Sequence, residues 1–166
     1  MALKESSEDK SHASRLTVFI EELLTGAGIK IRDLEAVAVS KGPGSYTGLR
    51  IGVSTAKGIA YAASIPLIGI ETTVSMFHGI GESLRKKYRL DDKSLFVPML
   101  DARRMEVYYS ILTSEGRTVK EIAAEIIDER SFTDIADTVR ILVFGDGAPK
   151  CRQVLKRENI IANPIS

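Results

Sequence analysis

The amino-acid sequence predicts an α/β protein with a mixed β-sheet. Two short apolar runs, at residues 35–40 and 66–71, have the near-continuous hydrophobicity of strands that are buried on both faces. A helix-like segment separates them, and a strand-rich region follows from residue 94 onward. Strands interleaved with helices in this way are typical of α/β proteins.

The first half of the chain alternates helices and strands. An amphipathic helix is predicted at residues 14–27, because apolar side chains recur there at three- and four-residue spacing and glycines end the pattern. The first strand then runs into a glycine-rich turn at residues 41–48, which opens a long helix. Pro66 marks the next break, and a helix-like segment at residues 72–89 follows the second strand.

The second half is richer in strands, and a turn at residues 114–116 indicates a hairpin or meander. The predicted elements are strands at residues 94–100, 104–114, 118–127 and 141–144, a short helix or loop at 134–138, and a helix at 148–157. We find no internal repeat and no low-complexity linker.

Composition excludes several classes of protein. The chain has 166 residues, 44% hydrophobic and 27% charged, as in a soluble globular domain with room for a small second lobe. The net charge of +1 argues against a broad nucleic-acid-binding surface, since neutralising several phosphates needs a clear basic excess. The single cysteine, the charged N-terminus and the absence of any run of about 18 apolar residues predict a cytoplasmic chain that does not span a membrane.

The glycine-rich turn at residues 41–48 is the first candidate site. It lies between a strand and a helix N-terminus, where unpaired N–H groups and the helix dipole favour an anion. Its spacing matches neither the P-loop nor the dinucleotide fingerprint. Two interpretations remain open: an anion or nucleotide contact, and a structural turn capped by Ser45 or Thr47. The residues predicted to contact the anion are Gly42, Gly44, Ser45 and Thr47.

A row of small residues follows on the long helix. Its members recur every four positions and so lie on one face: Gly44, Gly48, Gly52, Ala56, Ala60 and Ser64. Glycine costs a helix interior roughly 1 kcal/mol relative to alanine, so the small residues on this face must serve a purpose that offsets the cost. The purpose that we predict is the close approach of another backbone.

Other polar groups leave two interpretations each. The charged cluster of Asp101, Arg103, Arg104 and Glu106 is either a metal or phosphate site at a strand end or a salt-bridged turn. The segment 145–147, Gly-Asp-Gly, is either a glycine-lined nucleotide floor or a plain strand-to-helix turn. The two histidines, His12 and His78, have no second ligand at metal spacing, which predicts surface or capping roles.

Several motifs together resemble the TsaB family. They are the run from Lys41 to Gly52 (KGPGSYTGLRIG), Ala56-Lys57-Gly58, Met99-Leu-Asp-Ala-Arg103 and Glu106-Val-Tyr108. The resemblance implies an actin/hexokinase-like ATPase fold of two lobes, at residues 1–93 and 94–166. Relatives begin with a β-hairpin that carries a phosphate-contacting loop. Because Met1 lies beyond that hairpin and the C-terminus is short, we expect missing edge strands and a fragment of a longer protein.

The resemblance also implies a function: a non-catalytic scaffold and dimerisation subunit in tRNA threonylcarbamoyladenosine modification. Its implied partners are a TsaD-type catalytic subunit and a TsaE-type ATPase, with a homodimer when alone and tRNA contacted only indirectly. Thr72 and Met76 stand where the catalytic relative has a His-x-x-x-His metal motif, so no metal or cofactor of its own is expected. ATP or ADP is expected at most at an interface shared with a partner.

The same resemblance assigns the row of small residues to the partner interface, at Gly48, Gly52, Ala56 and Ala60. Gly52→Leu or Ala56→Arg is then expected to weaken dimerisation and to leave the monomer folded. The alternative function is an independent enzyme, either an actin/hexokinase-type ATPase or a glycoprotease-like peptidase.

Overall fold

The structure is a computed structural model that describes residues 2–5 and 12–163. The chain divides into two compact units, Met1–Glu71 and Thr72–Ser166. The helices are α1 (His12–Ala27), α2 (Tyr46–Ala63), α3 (Thr72–His78), α4 (Glu82–Lys87) and α5 (Ala148–Cys151). The strands are β1 (Val37–Gly42), β2 (Leu67–Glu71), β3 (Leu95–Asp101), β4 (Glu106–Leu112), β5 (Thr118–Ile126), β6 (Ile141–Phe144) and β7 (Ile160–Asn163). Within the described residues, no helix is both long enough and apolar enough to cross a membrane.

The first unit contains a β-α-β arrangement. Strands β1 and β2 are parallel neighbours, with Val39 opposite Gly69, and α2 connects them. Helix α2 packs on β1, and α1 packs on α2. A parallel pair requires such a crossover, because a tight turn cannot reverse the chain direction twice.

One face of this two-stranded sheet is open within the described part of the unit. The prediction that both strands are buried on both faces is therefore wrong. Val37 and Val39 are half-buried, whereas Ile68 is 49% exposed and Ile70 is 37% exposed. Helix α2 packs on β1 and gives β1 its alternating pattern of burial.

The second unit is organised around a five-stranded mixed sheet with the strand order β5-β4-β3-β6-β7. Strands β3, β4 and β5 form antiparallel pairs, and β6 and β7 add in parallel to β3. The predicted mixed sheet and the predicted meander are confirmed. Strand β7 is an addition to the predicted elements, since the sequence shows only an apolar pair there, Ile160 and Ile161.

Strands β3 and β6 of this sheet separate two apolar clusters. Phe96 of β3 packs with Leu142 and Phe144 of β6 and with Phe77 of α3 on one side. Val97 and Met99, which alternate with Phe96, belong to the other cluster together with α5. Side chains of a strand alternate between faces, so covering both faces requires the continuous apolar sequence observed in β3 and β6.

Two predicted helices are shorter than expected. The segment at 72–89 forms two helices, α3 and α4, because the chain breaks between Gly79 and Gly81. The helix predicted at 148–157 ends at Cys151. Tighter turns replace the helical pattern there, with the N–H of Arg152 donating to the carbonyl of Pro149 at 3.4 Å.

The division into units also differs from the predicted lobes. The predicted boundary lies between residues 93 and 94, whereas the contacts divide the chain after Glu71. Helix α3 packs on β3, and the Phe77 ring meets the Phe96 ring edge to face at 5.2 Å. Residues 72–93 therefore belong with the strand-rich unit.

Candidate functional sites

The glycine-rich turn joins β1 to α2. Strand β1 ends at Gly42, whose φ of +110° favours glycine and whose added Cβ would lie 3.2 Å from Leu49 Cδ1. The Gly42–Pro43 peptide is cis. Ser45 is the N-cap of α2, and its hydroxyl accepts a hydrogen bond from the N–H of Gly48 at 3.3 Å. The predicted cap at Ser45 is confirmed.

The predicted anion contacts lie together on this turn. Gly44, Ser45 and Thr47 are exposed at the start of the 18-residue helix α2, and Gly42 is buried beneath them. Lys41, next to the turn, pairs with Glu71 at 3.2 Å. The geometry leaves the first turn of α2 open to solvent, so anion binding at these four residues stays a prediction.

The row of small residues on α2 has an intramolecular role, which corrects the predicted partner interface. Ala56 and Ala60 are each only 6% exposed, and a Cβ added to Gly52 would contact Val39 Cγ2 of β1 at 3.9 Å. These three residues share one face of the helix. Residues of the same chain therefore cover this face, with the Val39 side chain of β1 next to Gly52. Gly48, in the first turn, is exposed.

A groove between α1 and α2 is a second feature of the first unit. Its volume is about 610 Å³, and it extends to the loop after α1. The lining is mainly apolar: Ile20, Leu24, Ile29, Ile31 and Ile59, with Thr17, Thr25, Thr55, Glu21, Lys30 and Gly58. Ile29 and Ile31 are 42% and 43% exposed. A Cβ added to Gly58 would meet no atom within 4 Å. This groove, which we call the α1–α2 groove, can accept side chains from another molecule.

In the second unit, the parallel strands β3 and β6 are neighbours, and their carboxyl ends lie side by side at one edge of the sheet. Lys150 of α5 pairs with the Asp101 carboxylate at 2.5 Å and donates to the carbonyl of Glu106 at 2.6 Å. The Asp146 carboxylate accepts from the N–H of Asp101 at 3.1 Å. The Lys150 ammonium, followed by the hydrogen bond from the N–H of Arg103, lowers the pKa of Asp101.

These contacts choose between the interpretations that the sequence left open. The salt bridge of the cluster joins Asp101 to Lys150, 49 positions further along the chain, and neither Arg103 nor Arg104 takes part in it. Sequence spacing gave no signal for that partner. The segment 145–147 is a strand-to-helix turn that lies tightly against β3, with the N–H of Gly147 donating to the carbonyl of Met99 at 3.1 Å.

The hairpin between β3 and β4 has an unusual backbone. Arg103 and Arg104 have φ values of +75° and +49°. Hairpin turns with two such residues favour Asn and Gly, because a side chain in this region costs roughly 1–2 kcal/mol. Both arginines are exposed. Neither guanidinium forms an ion pair or hydrogen bond with another residue of the described chain.

A half-buried polar triad lies between β4 and β5. The Tyr109 hydroxyl donates to Glu125 at 2.7 Å, and the Lys120 ammonium donates to both, at 2.5 Å and 2.7 Å. Burial of its ring raises the pKa of Tyr109. Hydrogen bonds from Lys120 and Tyr109 lower the pKa of Glu125. Burial disfavours the charged Lys120, but its hydrogen bonds to Glu125 and Tyr109 outweigh burial and raise its pKa.

Glu125→Gln should reduce stability at neutral pH and remove part of its pH dependence. A lowered folded pKa contributes stability above the unfolded value and loses it as the pH falls through the folded value. We therefore expect the variant to melt below the wild type near about pH 7 and the two curves to converge as the pH falls below the lowered pKa of Glu125. Glu121→Gln, an exposed carboxylate of the same strand, is the control. Curves for Glu125→Gln that stay parallel to the wild type would contradict the assignment.

Comparison with known proteins identifies the family. The family model described as TsaD, tRNA N6-adenosine threonylcarbamoyltransferase, matches residues 6–150. The chain belongs to the TsaD family. The resemblance to TsaB is confirmed by relatives named tRNA threonylcarbamoyladenosine biosynthesis protein TsaB. The Escherichia coli protein is 34% identical over 101 residues, which is 61% of this chain and 41% of that protein. The Bacillus subtilis protein is 32% identical over 116 residues, 70% and 47% of the two chains.

A transferase and a solved structure extend the comparison. The tRNA N6-adenosine threonylcarbamoyltransferase of Erythrobacter litoralis is 32% identical over 157 residues, 94% of this chain and 43% of that protein. A Pseudomonas aeruginosa protein with similarity to peptidase YeaZ superposes with a TM-score of 0.74 at 22% identity, over 96% of this chain and 72% of that one. The predicted actin/hexokinase-like fold is confirmed. The chain spans less than half the length of the TsaB relatives it matches.

Thr72 and Met76, the two positions that the resemblance compares with a His-x-x-x-His motif, lie on α3. Thr72 begins this helix, and Met76 packs against the apolar cluster around Phe77. Over residues 2–5 and 12–163, no group of three or more His, Cys, Asp or Glu side chains is placed to hold a metal ion. His78 is exposed, and the side chain of His12 lies outside the described residues.

Proposed function

We propose that this chain is a non-catalytic subunit of the tRNA N6-threonylcarbamoyladenosine modification complex. The names of the TsaB relatives support a role in this modification. The observation that carries the non-catalytic role is the place of Met76. Its thioether packs against a buried apolar cluster at the position that the resemblance assigns to a metal-binding histidine. A thioether is a weak substitute there, because the hard or borderline metals of transferases favour nitrogen and oxygen ligands.

The proposed partners are a TsaD-type transferase, a TsaE-type ATPase and, in their absence, a second copy of this chain. The proposed docking surface for the transferase is the α1–α2 groove. Its isoleucine-rich lining leaves Ile29 and Ile31 more than a third exposed, which provides apolar area that a partner helix would bury. ATP or ADP would contact the turn at Gly42, Gly44, Ser45 and Thr47 only where a partner completes the site. tRNA would reach the complex mainly through the transferase, in the cytoplasm.

Gly58→Arg should prevent binding of the transferase to this chain without unfolding the chain. Gly58 lines the α1–α2 groove, and a Cβ added there meets no atom within 4 Å, so the new side chain can extend into the groove without a clash at its base. Arginine also favours the helix over glycine by up to about 1 kcal/mol. We expect an unchanged or higher melting temperature and at least about tenfold weaker association by calorimetry, since a charge would oppose an apolar contact. Lys57→Ala, on the exposed surface of the same helix, is the control. Unchanged association of Gly58→Arg would exclude the groove as the interface.

The function itself is tested by complementation. A TsaB-depleted bacterium should regain threonylcarbamoyladenosine in its tRNA, measured by mass spectrometry of nucleosides, when it expresses this chain together with a TsaD-type subunit. No modified nucleoside and no co-purifying transferase would refute the proposal. The alternative, an independent ATPase or peptidase, predicts turnover of ATP or peptide by the purified chain without any partner.

A further inference from the structure

We propose that the β3–β4 hairpin tip is a direct contact for RNA phosphates, made by Arg103 and Arg104. This inference rests on the proposed role in tRNA modification, and it adds a direct contact where the resemblance implies only an indirect one. Both guanidinium groups are exposed and have no side-chain partner among the described residues. Arginine in this state is suited to bidentate binding of a phosphate.

The backbone conformation of the tip indicates that the tip binds a ligand. Two consecutive arginines have positive φ, where glycine or asparagine would fold with less strain. Backbone hydrogen bonds stabilise this conformation of the tip. The N–H of Arg103 donates to Asp101 at 2.7 Å, and the N–H of Ala102 donates to the carbonyl of Glu106 at 3.1 Å. A backbone that is held in a strained conformation is typical of sites that bind a ligand.

Charge at the tip favours single phosphodiesters over a nucleotide polyphosphate. Lys150 is neutralised by Asp101, and Glu106 lines the same hollow of about 480 Å³ as the two arginines. Asp146, whose carboxylate accepts from the N–H of Asp101, completes three acidic side chains against three basic ones, so the tip offers two guanidinium groups without the large positive surplus that a polyphosphate requires. The amides of Asp101, Ala102 and Arg103 are already hydrogen-bonded within the protein, so they cannot form the cradle that a polyphosphate requires. One phosphodiester carries one negative charge, and contacts of this kind position RNA without reading its sequence.

The test compares two variants that both replace a positive-φ arginine by glycine. Arg103→Gly/Arg104→Gly removes the proposed contact, and Arg89→Gly removes an exposed arginine at φ +50° elsewhere in the same unit. Both should fold at least as stably as the wild type, because glycine relaxes this backbone. Fluorescence anisotropy with labelled tRNA is measured over a salt series, for the chain alone and with a TsaD-type subunit.

The double variant should bind tRNA about tenfold or more weakly, and its slope of log affinity against log salt should be shallower by about 2, one for each lost phosphate contact. Arg89→Gly should match the wild type. Equal affinity of the wild type and the double variant in both arms overturns the inference. Arginine-dependent binding of ATP with unchanged tRNA affinity also overturns it. Co-purification of the double variant with the transferase would show that only the RNA contact, and not the proposed complex, had failed.

Discussion

Gly145→Ala is expected to destabilise the second unit by roughly 3 kcal/mol or more, from the strain of positive φ added to the cost of overpacking. Gly145 has a φ of +102° in the turn after β6. An added Cβ would lie 2.3 Å from the Met99 carbonyl oxygen and 2.4 Å from Met76 Cε. The methionine can move, but the carbonyl belongs to the central strand β3. Urea denaturation followed by circular dichroism should therefore show a much lower midpoint.

Gly81→Ala is the matched control for that experiment. Gly81 lies in the same unit, has a φ of −73°, and would place its Cβ 3.7 Å from the Ser83 hydroxyl, an ordinary contact. Gly81 is also the N-cap of α4, where alanine is less favourable than glycine, so the unfolding midpoint of this variant should fall only slightly and far less than that of Gly145→Ala. Equal midpoints for Gly145→Ala and the wild type would show that β3 and the turn after β6 can separate at little cost.

Strands β3 and β6 could be predicted from the sequence because both of their faces are buried. In β3 and β6, alternate residues enter opposite apolar clusters, so the whole run must be apolar. The run at 35–40 has the same appearance, yet one face of β1 and β2 is open in the described unit. An apolar run shows that a strand is hydrophobic. Whether both of its faces are buried depends on elements that lie far away in the sequence.

In the candidate sites, too, local features could be predicted from the sequence and contacts between distant residues could not. The cap at Ser45 was predictable, because capping is decided within three residues. The pairing of Asp101 with Lys150 joins residues 49 positions apart, and the φ values of Arg103 and Arg104 break the local preference for Asn and Gly. Neither property is visible in spacing. A strained hairpin tip is a point at which local and global preferences disagree, and such points are common at functional sites.

Ala56→Arg is expected to unfold the first unit rather than to weaken a partner contact, in contrast to the expectation drawn from the sequence. Ala56 is 6% exposed on the face of α2 that contains Gly52, the face that meets β1. A guanidinium there has no acidic partner within its row of small residues, and an unpaired buried charge costs roughly 3–5 kcal/mol.

Gly58→Arg makes this prediction decisive, because it places the same side chain two residues further along, where the helix is open. Comparing the two arginine variants should distinguish loss of folding from direct loss of partner binding. Ala56→Arg should lose helical signal at lower urea and should lose partner binding only as a consequence, whereas Gly58→Arg should lose partner binding while folded. A folded Ala56→Arg that fails to associate would restore the row of small residues as the interface. It would also mean that β1 and α2 separate readily, since the new side chain would otherwise have no room between them.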